Sequence, residues 1–282
     1  MSTYRHGRHE YGQNFLHDQA TQNAIVERVH PTSGPIIEIG PGAGALTERL
    51  EHLGRPLTVV EIDGRLARRL EQRLHPRVEV VHGDFLHHRL PHTAHVLVGN
   101  LPFHQTTAIL RHILRAEAWT HAVLLVQWEV ARRRAGVGGA TLMTAQWVPW
   151  FTFALGQRVP ARAFTPAPSV DGGLLTIVPR AEPLLPRAQR RVFQAMTHQV
   201  FTGRGRGIVE ITTRAGRFNS TREARSWATA AGLTAQALPK ELSAGQWVDL
   251  FRASGTSPLL VDGDRTCLPR SAQRASDDVR WR

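Results

Sequence analysis

The tetrapeptide Asn100-Leu101-Pro102-Phe103 concentrates residue types that can turn an aromatic amine into a nucleophile. An adenine amine is a poor nucleophile because its lone pair is delocalised into the ring. Two acceptors aimed at the amine hydrogens localise that pair, and the Asn100 side-chain oxygen and the Leu101 carbonyl offer two. Pro102 restricts Leu101 to extended backbone, which helps fix where its carbonyl points. Phe103 presents a face for an extruded base, with stacking worth roughly 1–3 kcal/mol per base against the few kcal/mol that unstacking costs. Toward an activated donor such as a methyl sulfonium, in-line placement contributes roughly 7–11 kcal/mol in favourable cases. That chemistry requires no metal, covalent intermediate or dedicated base, so His104 reads as a surface or RNA-contacting residue. The same tetrapeptide also suits a proline turn after a buried strand.

A second group of residues suits a nucleoside-bearing cofactor. Glu38-Ile39-Gly40-Pro41-Gly42-Ala43-Gly44 follows an apolar run and precedes a helical pattern. Glycines at such a turn let backbone approach a ligand, although packing alone also selects them. Their spacing is G-x-G-x-G rather than the dinucleotide fingerprint. Glu61, 21 residues after Gly40, falls where a carboxylate accepts both ribose hydroxyls. Asp63 reads as a helix cap. Asp84 can accept from an adenine amine while Phe85 packs on the ring, or it can simply cap a loop. Sites at successive strand ends point to one crevice along the carboxyl edge of a sheet.

The elements that must position these residues follow from periodicity. Apolar runs at Ile36–Gly40, Leu57–Ile62, Val78–His82, His95–Asn100 and Ala122–Gln127 read as buried strands. Helical patterns at Ala45–Leu53, Arg65–Leu74 and Ala108–Leu114 separate them, which implies a parallel sheet with right-handed crossovers. Phe151–Val159 and Leu174–Val178 suit a closing hairpin, joined through Pro160, Pro166 and Pro168. After Pro179 the pattern becomes helical: Leu184–Phe201, Arg222–Ala231 and Gly245–Phe251. The expected organisation is a catalytic α/β domain over 1–180, a small all-α RNA-binding domain over 181–252 and a loose tail over 253–282.

Composition narrows the function classes. The 282 residues are 41% hydrophobic, enough for a substantial core. No apolar run approaches a membrane span, and Met1–Glu10 lacks a signal-peptide core, so a cytoplasmic protein is expected. Cys267 is the only cysteine, which excludes an internal disulfide framework, and the 15 histidines show no metal-ligand spacing. The net charge is +12, with Lys240 the only lysine. A GC-rich codon bias accounts for arginine over lysine, but the excess charge itself favours a polyanionic partner. Residues 181–252 carry ten arginines, Lys240 and five acids, a net of +6, against +5 for the far longer 1–180. Arg111, Arg132, Arg133, Arg134, Arg204 and Arg206 are candidate phosphate contacts, each equally readable as a solvated surface charge. The run Gly203-Arg204-Gly205-Arg206-Gly207 would let backbone approach RNA.

Together these motifs resemble the ribosomal RNA adenine N6-methyltransferases, the family of the Erm macrolide-resistance enzymes and the KsgA dimethylases. The resemblance covers most of residues 10–180. It runs through Tyr11-Gly12-Gln13-Asn14-Phe15-Leu16, Glu38–Gly44, Val60–Asp63, Gly83-Asp84-Phe85 and Asn100–Phe103 in the family's order. Asn100–Thr107, Gln127–Ala131, Gly138–Thr141 and Phe164–Gly173 look like the Erm branch, particularly actinobacterial forms. The KsgA branch usually has tyrosine where Phe103 stands. The resemblance implies a Rossmann-like class I methyltransferase fold with a mostly parallel seven-stranded sheet. It implies S-adenosylmethionine held by Asn14, Leu16, Gly40, Gly42, Glu61, Ile62, Asp84, Phe85 and Asn100. Phe103 and Phe164 would sandwich the flipped base. The implied substrate is 23S ribosomal RNA in the peptidyl-transferase region, methylated once or twice by a monomer, which blocks macrolide, lincosamide and streptogramin B binding. A KsgA-type enzyme acting on small-subunit RNA and a non-catalytic assembly factor remain the alternatives; intact Asn100 and Glu61 argue against the latter.

Overall fold

The computed structural model describes residues 14–255; the Tyr11-Gly12-Gln13 part of the first motif, Cys267 and most of the expected tail lie outside it. Apolar strands build the centre, buried through the middle of the sheet and half-exposed at its two edges. In chain order they are β2 (Ile36–Ile39), β3 (Leu57–Glu61), β4 (Val78–His82), β5 (His95–Asn100), β6 (Trp119–Gln127), β7 (Phe151–Val159) and β9 (Gly172–Pro179). The two short strands β1 (Phe15–Leu16) and β8 (Phe164–Thr165) form a separate pair. The main sheet has the order β4-β3-β2-β5-β6-β9-β7. Only β9 runs against the rest, pairing antiparallel with both β6 and β7. The expected seven-stranded, mostly parallel sheet and its closing hairpin are therefore present. β2, β3 and β5 are parallel neighbours, so the loops after them open on one edge.

Helices cover both faces: α1 (Gln19–Val29), α2 (Ala45–Glu51), α3 (Gly64–Arg73), α4 (Thr106–Arg115), α5 (Trp128–Arg134) and α6 (Leu142–Trp147). The Asp18 carboxylate caps α1 by accepting from the Thr21 N–H at 2.8 Å. Asp63 caps α3 by the same chemistry, as its position suggested. Of these helices, α1, α5 and α6 have no counterpart among the helical patterns expected from the sequence.

Beyond Pro179 come α7 (Arg190–Phe201), α8 (Ile208–Arg214), α9 (Thr221–Ala230) and α10 (Ala244–Ala253). α7 starts later than Leu184, the start read from sequence. Pro186 restricts Leu185 to extended geometry, and the Leu185 carbonyl accepts from the Trp150 indole N–H at 2.8 Å. This helical layer shares the core of the sheet. Trp119, Phe151, Trp147, Trp150, Phe193 and Phe251 form a chain of ring contacts from β6 to α10, with centroids 5.1–6.3 Å apart.

Candidate active site

The loops after β2, β3 and β5, together with β1, enclose a cavity with about 870 Å³ of atom-free space, solvent at its open mouth included. Asn14, Phe15, Leu16, Glu38, Gly40, Gly42, Glu61, Ile62 and Asn100–Phe103 line it. The structure thus gathers residues that the sequence scatters over about a third of the chain.

The glycine turn is built for close approach. Gly40 has φ +65°, and a Cβ there would meet nothing within 4 Å, so its backbone is bare toward the cavity. Gly44 caps α2 in the left-handed region at φ +87°, and a Cβ there would crowd Leu70 at 2.7 Å. From α3 the Arg73 guanidinium donates to the Ala43 carbonyl and pairs with Glu48 at 3.1 Å, which ties the turn down.

Two carboxyls face this turn. Glu61 accepts from the Gly42 N–H through Oε2 and from the Asp63 N–H through Oε1, both at 2.9 Å. These bonds fix its plane and leave each oxygen a second lone pair for a diol. Burial raises its pKa above the ordinary carboxylate value, while the Asp63 and Gly42 N–H groups pull it back. Glu38 was read only as part of the glycine motif, yet it is 2% exposed and its Oε2 has no partner among the described residues. Burial pushes its pKa up to about 8, opposed by the Thr47 hydroxyl and reinforced by Glu61. A charged residue inside the otherwise apolar strand Ile36–Ile39 was the available signal. An unpartnered carboxyl oxygen at the wall and a bare glycine backbone fit a cofactor with cationic and ribosyl parts.

The tetrapeptide Asn100–Phe103 closes the other wall. The Asn100 Nδ2 donates to the Asn14 carbonyl at 2.8 Å, which occupies the donor end of the amide and leaves Oδ1 to accept. Leu101 is buried and its N–H donates to the Leu125 carbonyl at 2.9 Å. The Pro102 carbonyl accepts from the Gln105 N–H at 3.0 Å and from the Thr106 hydroxyl at 3.2 Å. The turn is therefore fixed before any ligand arrives. Phe103 is half-buried at the mouth.

Three expected site residues lie elsewhere. Phe164 is 2% exposed, within the core that includes Leu16, and its ring would touch a Cβ on Gly172 at 3.1 Å. It holds β1 in place and offers no free face to a base. Phe85 is 5% exposed and meets the edge of His112 at 5.3 Å. Asp84 accepts from the Leu86 N–H at 2.9 Å and stands 3.4 Å from the His87 ring, the geometry of a loop cap. Neither Phe85 nor Asp84 lines the cavity. Phe15, which the sequence reading passed over as a motif letter, does line it.

The arginines divide into two places. Arg134 is half-buried and donates to the Thr141 hydroxyl. Its pKa is lowered by burial and by the neighbouring charges of Arg111 and Arg133, so these three converge. Arg132 is taken by Glu129 at 3.0 Å. Arg204 and Arg206 lie in the helical layer, and Arg206 pairs with Glu210 at 3.5 Å. The glycines around them serve packing: a Cβ on Gly203 or Gly205 would meet Ile211 at 2.8 Å. Among the described residues no group of three or more His, Cys, Asp or Glu could hold a metal ion, and no helix is long and apolar enough to cross a membrane.

Comparison with known proteins points one way. The family described as Ribosomal RNA adenine dimethylase matches residues 4–254. The chain is 62% identical over 220 residues to an rRNA adenine N-6-methyltransferase of Corynebacterium diphtheriae, covering 78% of this chain and 87% of that one. It is 44% identical over 248 residues to the mycinamicin-resistance protein MyrB of Micromonospora griseorubida, covering 87% and 78%. The crystal structure of the 23S rRNA methyltransferase ErmE superposes with a TM-score of 0.77 at 34% identity, covering 85% of this chain and 99% of that one.

Proposed function

The chain belongs to the ribosomal RNA adenine dimethylase family, and from that premise we propose that it methylates N6 of one adenine in 23S ribosomal RNA near the peptidyl-transferase centre. It acts as a cytoplasmic monomer and confers resistance to macrolides, lincosamides and streptogramin B. The donor is S-adenosylmethionine, which when bound supplies a methyl group already activated on a sulfonium. Glu61 orients the ribose, Gly40 and the neighbouring turn receive the methionine part, and Asn14 and Leu16 cover it from β1.

The observation that carries this reading is the Asn100 amide. With its nitrogen spent on the Asn14 carbonyl, its oxygen is the end left to accept from the target amine. The Leu101 carbonyl is the second acceptor, and the two together localise the nitrogen lone pair. Phe103 stacks on the extruded base at the mouth. As N6 bonds to the methyl carbon, the carbon–sulfur bond would break and the neutral thioether would leave, and the methylated nitrogen, briefly an ammonium, would lose its proton to water. The cluster of Arg111, Arg133 and Arg134 supports contact with phosphate of the same RNA. The test is methyl transfer from labelled cofactor to protein-free large-subunit and small-subunit RNA, with the modified base mapped by mass. Label on one adenine of the large RNA is expected, and label confined to the small RNA overturns the assignment.

A further inference from the structure

We infer that a groove on the helical layer, bounded by Arg206, Arg214 and Arg225, is a second docking site for the RNA phosphate backbone, distinct from the cavity that takes the reacting base. This rests on the RNA substrate proposed above. The groove has about 1070 Å³ of atom-free space to its open side, and it shares no lining residue with the catalytic cavity.

Its chemistry is one-sided. Glu210 stands between two guanidiniums, 2.8 Å from Arg214 and 3.5 Å from Arg206, and also accepts from the Arg206 N–H at 3.0 Å. Each guanidinium carries five N–H donors, so the carboxylate orients the Arg214 fork, keeps the exposed Arg206 fork nearby and leaves most of their donors free. Arg225, on α9 across the groove, has no acceptor among the described residues. Three cations against one anion leave the groove with two net positive charges. The rim is preformed. A Cβ on Gly207 would collide with the Ala235 carbonyl, and the Ile208 N–H donates to the Ala237 carbonyl at 2.7 Å. That holds the Arg206 segment against the stretch before the last helix.

Oriented guanidinium forks around an open groove match phosphate better than any neutral ligand. The surrounding 181–252 segment, with its net charge of +6, extends the same field. The substrate supplies the rest of the argument. An RNA large enough to present a flipped base extends beyond a cavity that admits only that base, so flanking backbone must lie on outer surface. Backbone contacts of this kind set register and affinity without reading sequence.

The test uses the full chain with cofactor and protein-free large-subunit RNA. The variant Arg214→Ala/Arg225→Ala is compared with Arg222→Ala, an exposed α9 position outside the groove. The expected result is a Kd for RNA raised about three- to tenfold near ~0.1 M salt, with the log Kd–log salt slope shallower by about 0.7–0.9 per lost phosphate contact. Cofactor affinity and kcat at saturating RNA stay unchanged. Parental Kd and slope in the double variant, or an equal change in Arg222→Ala, overturns the groove while leaving the catalytic reading intact. Failure of the unsubstituted protein to methylate either ribosomal RNA overturns that reading and the groove with it.

Discussion

Glu38 and Asn100 are two polar residues whose single unused atoms decide what the cavity can accept. Glu38 holds its proton up to about pH 8 in the folded chain, against an ordinary glutamate value of 4.5. Between those values the folded state carries a proton that the unfolded state has lost, so raising the pH removes stability from the cofactor-free protein. The slope has a ceiling of about 1.4 kcal/mol per pH unit for the one group. Thermal melts from about pH 5 to 8 should show Tm falling in the parent and a flatter profile in Glu38→Gln; parallel profiles would contradict the assignment. In the sequence Glu38 reads as a motif letter, marked only by its charge inside an apolar run; its missing partner shows only once the surrounding side chains are placed. Asn100 and Glu61 were legible because proline, strand end and spacing all point to the same place. Asp84 and Phe85 follow β4, the edge strand one place beyond β3, and neither lines the cavity.

At the scale of elements, the short strand pair does most to complete the site. Phe15 and Leu16 reach the cavity because β1 pairs with β8, with Leu16 opposite Phe164, and because the Gln22 Nε2 donates to the Leu16 carbonyl at 3.0 Å. A two-residue strand has no periodicity to read, so only the resemblance placed it. If Phe164 is core, Phe164→Ala lowers stability by about 3–5 kcal/mol and raises the cofactor KM. Phe164→Leu restores most of both, because volume and not an aromatic face is what matters there. Denaturant melts and steady-state kinetics on the pair check this. A stable Phe164→Leu protein with kcat for RNA lost would return the ring to base stacking. The long strands and α2, α3, α4, α7, α9 and α10 were legible from apolar spacing. The helices α5, α6 and α8 are six or seven residues long; α2 is as short, but an apolar strand running into a glycine turn marks its start and not theirs.

Across the whole molecule, the sheet and the helical layer are joined by one aromatic chain. The change of texture after Pro179 was visible in the sequence, but texture does not reveal shared packing. Phe193 is fully buried and touches Trp150 from one side and Phe251 from the other, at 5.6 and 5.5 Å. A shared core predicts a single unfolding transition followed equally by tryptophan fluorescence and far-ultraviolet dichroism. Phe193→Ala should lower that one transition by about 3–5 kcal/mol. Two separated transitions, only one of them moved by the substitution, would contradict the shared core.

Everything in the catalytic account converges on the Asn100 oxygen, so the most direct measurement is methyl transfer by Asn100→Ala beside its cofactor affinity. Initial rates on protein-free large-subunit RNA should fall on the order of 10²–10³-fold, the scale for removing one preorganised polar group that acts in the transition state. Calorimetric cofactor binding should stay within severalfold of the parent, because Glu61 and the Gly40 turn remain. A variant that keeps its rate, or that loses rate only as it loses cofactor, would contradict the role given to this amide.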